Sequence, residues 1–242
     1  MLRNTLAAAF LLLLAAPALY AQTPQAQPTP TPQTQQSPPG ESKAGGKPSD
    51  GAKSVYKSPG DAKKKYEALR ERAKKGDQTV DYKEMRLAFF ETPEYSPLTG
   101  MIDNRALNIA LGQGDYAGAI KTADAILKKN FVDLNAHMVA HIGYRQTGNE
   151  EKASFHRSIA DALLNSIKST GDGKSTDTAY EVISISEEYA MFRGMGLRPV
   201  KQALVNEKGH AFDAITVVDP KTKQEAIIYF NVDKPFSAYG RK

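Results

Sequence analysis

His137 and His141 stand four residues apart. On a helix that spacing places both imidazoles on one face, where they can grip a metal ion. A third ligand would have to come from elsewhere, with His156 or Asp133 as the choices. A helical metalloprotease site needs glutamate directly after the first histidine, and here Met138 follows. Gly173-Lys174-Ser175-Thr176 invites comparison with a phosphate-binding loop. That loop requires a glycine five residues before Gly173 and a preceding strand. The position is Lys168, and a helical pattern precedes it. The segment therefore reads as a polar loop ahead of a helix cap. Arg86, Asp172, Lys174 and Glu188 form a candidate polar site, with Glu187 and Asp177 near by in sequence. Adjacent helical residues point about 100° apart, so only one of Glu187 and Glu188 is expected to enter such a site, the other facing solvent. A buried Glu188 or Arg86 would hold a loop in place. No serine occupies a nucleophile elbow and no Ser, His and Asp set is recognisable, so no catalytic residue and no cofactor is assigned.

These side chains need elements to position them. Asp61 can cap a helix running to Lys75, and Asp81 a second over Tyr82 to Phe90. Thr92 to Pro97 carries two prolines and turns the chain. Asp177 or Thr176 is expected to cap a helix from Thr178 to Phe192, ended by Gly194, Gly196 and Pro199. Beyond Pro199 the apolar period changes to two. Residues 202–205, 211–218 and 225–232 read as strands, with turns at Lys208-Gly209 and Asp219-Pro220-Lys221. Their short connections predict a three-stranded antiparallel meander. The expected fold is thus mainly α with a small β part (α+β).

Between the turn and the polar loop the chain repeats itself. Gly114-Asp115-Tyr116 is followed by Ala119, Ile120, Ala123, Ile126 and Leu127, and Gly148-Asn149 opens a second copy. The separation, 148 minus 114, is 34 residues, the tetratricopeptide period. Ala106 answers Ala140 and Ala119 answers Ala153. Over residues 106–168 the chain resembles the tetratricopeptide family, which implies helical hairpins packed through small residues. It departs from that pattern at Phe131, where proline is expected, and at Ser154 and Arg157. Two copies are too few for a stable stack, so flanking helices must complete the core.

A wider resemblance covers residues 60–242. Asp81-Tyr82-Lys83 with Arg86, Thr92-Pro93-Glu94-Tyr95, the Gly171-Asp172-Gly173 loop, Glu187-Glu188-Tyr189 and Ile228-Tyr229-Phe230-Asn231 look like those of an uncharacterised family of secreted bacterial proteins, a domain of unknown function. The resemblance implies a fold and an exported location, and no activity.

Bulk composition narrows the remaining classes. The chain has 242 residues and no cysteine, which excludes disulfides, thiolate metal sites, thiol nucleophiles and a lipid anchor on cysteine. The net charge is +5, with Lys63-Lys64-Lys65 and Lys74-Lys75 beside Glu67, Glu71 and Asp77. That mixture reads as a solvated helix face and not as a nucleic-acid surface. Residues 1–21 read as a signal peptide: Arg3, an apolar stretch from Leu6 to Ala16, Pro17, then small residues near a cut after Ala21, with Ala18 the alternative. Membrane contact is expected only through this segment before cleavage. Residues 22–59, rich in Pro, Gln and Thr, read as a disordered linker. Residues 60–242 form one expected domain, helical over 60–198 and β over 199–242. Its expected role is a non-enzymatic interaction module with a protein partner, in the periplasm or outside the cell. The alternative is a small periplasmic hydrolase or ligand-binding enzyme with its site between the last helix and the strands. Sequencing the N-terminus of the protein from an envelope fraction should give Gln22 first, and an intact Met1 in the cytoplasm would contradict the export reading.

Overall fold

The computed structural model describes residues 54–239. The expected signal peptide, 1–21, and residues 22–53 of the expected linker lie outside the described residues. Helix α1, Pro59–Lys74, starts one turn earlier than its first acidic residue suggests, because Ser58 is the cap. The Ser58 side chain accepts from the Asp61 amide, and Pro59 sits where its missing N–H costs nothing. Helix α2, Tyr82–Phe90, is capped by Asp81, which accepts from the Glu84 amide at 2.8 Å.

Four helices follow in succession: α3 Pro97–Gly112, α4 Tyr116–Lys129, α5 Leu134–Gln146 and α6 Glu150–Lys168. Gly114 and Gly148 turn the chain at φ of 72° and 80°, a region that glycine enters without steric cost. Asp115, Asp133 and Asn149 each cap the helix that follows. Small residues set the helix spacing. Ala119, Ala123, Ala136 and Ala140 are fully buried, and a Cβ on Gly143 would lie 2.7 Å from Ile120 Cγ1. Together with Leu107, Ile126, Val139 and Ala153 they make one of two core clusters.

The segment after α6 departs from expectation. In place of one helix over 178–192 there is strand β1, Tyr180–Glu181, then helix α7, Ile185–Met195. Asp172 explains the difference. Its amide and that of Gly173 donate to the Thr178 carbonyl, while its carboxylate accepts from the Lys174 amide and the Thr178 hydroxyl. The loop closes on itself, leaving neither Thr176 nor Asp177 to start a helix. Tyr180 and Ile183 are buried in either arrangement, so their spacing does not separate the two.

Strands β2 Arg198–Glu207, β3 His210–Val218 and β4 Glu225–Asn231 complete the sheet. Lys208 and Gly209 both have positive φ, as the tight turn between β2 and β3 requires. The sheet is four-stranded and mixed, in the order β1-β4-β3-β2, and not the three-stranded antiparallel meander expected. β1 lies parallel to β4, with Tyr180 opposite Phe230. The intervening α7, β2 and β3 supply the length that a parallel connection needs. A last helix, α8 Asp233–Tyr239, has no counterpart in the sequence reading.

The inner face of the sheet, with Ile215, Val217, Ile228 and Phe230, joins Met191 and Phe192 of α7 in the larger core cluster, which also takes in α1, α2 and most of α6. Phe192 and Phe230 meet edge to face at 5.4 Å. Among the described residues no helix is long and apolar enough to cross a membrane. The fully buried Ala119 generates a test of the hairpin packing. Ala119→Leu should cost about 1–3 kcal/mol by overpacking, measured by chemical denaturation; an unchanged midpoint would contradict the packing described.

Candidate functional site

Arg86 projects from α2 into the centre of the larger core and is 1 % exposed. It meets Glu187, on the first turn of α7, through two bonds: Nε to Oε1 at 2.8 Å and Nη2 to Oε2 at 2.6 Å. Nη2 also donates to the Glu181 carbonyl of β1 at 3.1 Å, and Nη1 to Ser166 of α6 at 3.4 Å. Glu187 in turn accepts from the Ile183 amide at 2.9 Å. Ser184 stands at the N-cap of α7 with no capping bond from its side chain, so the Glu187 carboxylate does that work. This resembles the return half of a capping box, shifted by one residue.

Glu188 points elsewhere. It is fully buried; as a carboxylate neither of its oxygens would have a hydrogen-bond partner, whereas with a proton it donates to Asp213. The expectation that either Glu187 or Glu188 faces solvent is therefore wrong: both are buried, because their 100° offset serves two different interfaces. Glu188 faces the sheet, where Asp213 of β3 is its nearest charge. Burial, then the Asp213 and Glu187 charges, push the Glu188 carboxyl up to about 9. Asp213 is also raised by burial, against the pull of Gln202, whose side-chain amide donates to it at 2.7 Å. Gln202 accepts from Tyr189 on its other side. Glu188 is thus a neutral acid beside a buried carboxylate.

The other members of the expected polar set are not in this seam. Asp172 and Lys174 are exposed on the loop before β1, paired with each other at 3.2 Å. The two histidines are likewise separated in role. His137 Nε2 bonds to the Phe131 carbonyl at 2.9 Å, and its Nδ1 lies 3.0 Å from Nδ1 of His156. A carbonyl only accepts, so the His137 hydrogen is on Nε2, and His156 donates to His137. Burial and the neighbouring imidazole push His137 down to about 3. His141 bonds to the Ala153 carbonyl at 3.0 Å, and Asp133 caps α5. Among the described residues no three His, Cys, Asp or Glu side chains are placed to hold a metal.

The open concavity lies at the end of the sheet. A groove of about 850 Å³ runs between α2, the 176–181 segment, the hairpin joining β2 to β3, and α8. Leu87, Phe90, Ala179 and Phe212 give it an apolar floor, and Ser54 to Tyr56 border it. Charges line the rim. Lys208 pairs with Asp177 at 2.8 Å, Lys234 with Glu181, and Thr176 donates to Glu207 at 2.6 Å. His210 Nδ1 lies 2.6 Å from Asp233 Oδ2, and Asp233 Oδ1 accepts from the Ala211 amide. Of these rim residues the sequence singled out only Thr176 and Asp177, as helix-cap candidates, and Lys208, as a turn residue. They come from six separate elements and loops, and no spacing links them.

A sequence profile described as Domain of unknown function (DUF4919) matches residues 57–241. No curated protein and no solved structure shows a significant match to the chain.

The buried acid generates a pH test. Glu188 keeps its proton in the folded state up to about pH 9, whereas an unfolded glutamate loses it near 4.3. Between those values the folded state binds more protons, so stability falls as pH rises, by up to about 1.4 kcal/mol per unit. His137 acts oppositely but only below about pH 6.5, where an unfolded histidine charges. The window from pH 7 to 9 therefore lies above the histidines and above Asp133, which burial raises to about 6, and reports on Glu188 with its neighbour Asp213. Denaturation across that window should show the slope in the parent and its loss in Glu188→Gln; an equal slope in both would contradict the assignment.

Proposed function

We propose, from the premise that the chain belongs to the DUF4919 family, a domain of unknown function, that it is an exported binding module that holds an extended segment of a partner protein in the groove at the end of its sheet. The observation that carries this reading is the groove itself: about 850 Å³, an aromatic and aliphatic floor, and a rim of side chains already oriented by hydrogen bonds. Preorganised polar groups around an apolar floor are the common form of a ligand site. The helices α3 to α6 act as a scaffold of two tetratricopeptide-like hairpins, supported by the 34-residue offset between Gly114 and Gly148. Export to the periplasm or the exterior is supported by the signal-like residues 1–21; no nucleic-acid partner is proposed.

A second reading, a small hydrolase, draws on His210 and Asp233. Asp233 holds Nδ1 of the imidazole as a hydrolytic base requires. Among the described residues no serine or threonine hydroxyl is bonded to that histidine, which favours the binding reading. A photo-crosslinking residue at Ser237, which lines the groove, in the full chain expressed in its own cells, should yield one discrete adduct. The same residue at Thr222, in the turn between β3 and β4, should yield none. Equal labelling at both positions, or adducts at neither, would contradict a groove-bound partner.

A further inference from the structure

The groove has a charge imbalance that its own ion pairs do not remove. Its lining contains the carboxylates Glu91, Asp177, Glu181, Glu207 and Asp233, against Lys208, Lys234 and His210. Each basic group is already committed. Lys234 is bonded to Glu181, Lys208 to Asp177, and His210 to Asp233. Two carboxylates remain. Glu207 accepts from Thr176 and has the Lys208 ammonium only at 3.8 Å. Glu91 has no ion pair among the described residues; the Tyr56 hydroxyl is raised by burial first, and then by the charges of Glu84 and Glu91. Both carboxylates line the same groove as the rings of Tyr56, Phe90 and Phe212.

Carboxylates in excess of basic groups, in a groove that also presents aromatic rings, are the surroundings that an ammonium or guanidinium prefers, through charge attraction and the negative ring face together. The bias is local, since the whole chain carries +5. An anionic partner would meet repulsion inside the groove, and a neutral apolar one would leave Glu91 partly desolvated without a counter-charge and Glu207 with only the shared Lys208 at 3.8 Å. Resting on the groove-binding reading above, we infer that the bound segment carries lysine or arginine, with its cationic head placed against Glu91 and Glu207 and its stem on the aromatic floor. The attraction falls with ionic strength, because the two carboxylates stand at an open groove.

Three peptides of one extended sequence test this with the full chain, one with two lysines, one with those lysines acetylated, and one with glutamates in their place. Fluorescence anisotropy should show the lysine peptide binding roughly tenfold more tightly than the acetylated one, with the glutamate peptide weakest. Amide shifts on binding should centre on Glu91, Ala179 and Asn231. Glu91→Gln with Glu207→Gln should bring the lysine peptide to the level of the acetylated one, while the acetylated peptide is unaffected. Equal binding of lysine and acetylated peptides in the groove would overturn the cationic preference and leave the groove reading in place. Binding by none of them, or shifts elsewhere on the surface, would overturn both.

Discussion

A buried arginine with five donors cannot be left alone in an apolar core, and that requirement organises the middle of this molecule. Arg86 is 1 % exposed and Glu187 4 %. An ion pair so placed adds little net stability, since desolvating both charges offsets their attraction, but removing one partner is costly. The pair therefore specifies an arrangement. Through it α2 is joined to α6 at Ser166, to β1 at Glu181 and to α7 at Glu187. The same carboxylate fixes the Ile183 amide. Without it the 181–183 stretch would have neither its carbonyl acceptor satisfied nor its helix started.

The groove inherits its geometry from that arrangement. One wall is the segment from Thr176 to Glu181, held at its far end by Arg86 and at its near end by the closed loop around Asp172. The adjoining wall is the turn between β2 and β3, where Glu207 and Lys208 bond to Thr176 and Asp177. Asp233 closes the third side by binding His210 and the Ala211 amide. The buried charges singled out in the sequence serve the frame, and the groove's polar rim stands on it. That division accounts for a polar cluster that is closed to solvent lying near an open site built from unremarkable residues.

Local structure was legible wherever one residue type fixes one conformation. Asp81 as a cap, the glycine turns at Gly114 and Gly148, and the Lys208-Gly209 turn are of this kind, and the outward and inward alternation along β3 follows from period two. The 178–192 segment failed because its apolar residues fit a helix and a strand-turn-helix equally well. What decides is the Asp172 loop and the pairing of Tyr180 with Phe230, fifty residues later in the chain. The mixed sheet was missed for the same reason: a two-residue strand has no periodicity. Arg86 and Glu188 stood out as charges in apolar settings, but their partners Glu187 and Asp213 are assigned only by packing. The groove is made by residues from Ser54 to Ser237, and nothing short of the fold brings them together.

The most direct test of this account is the stability of Glu187→Gln. The substitution keeps the shape of the side chain and removes the charge that balances Arg86. Breaking a buried pair from one side costs about 3–5 kcal/mol, so chemical denaturation should show a loss of that order. Hydrogen exchange at the Ile183 amide should accelerate with it. A variant with the parent's midpoint and a protected Ile183 amide would show that the fold does not depend on this pair.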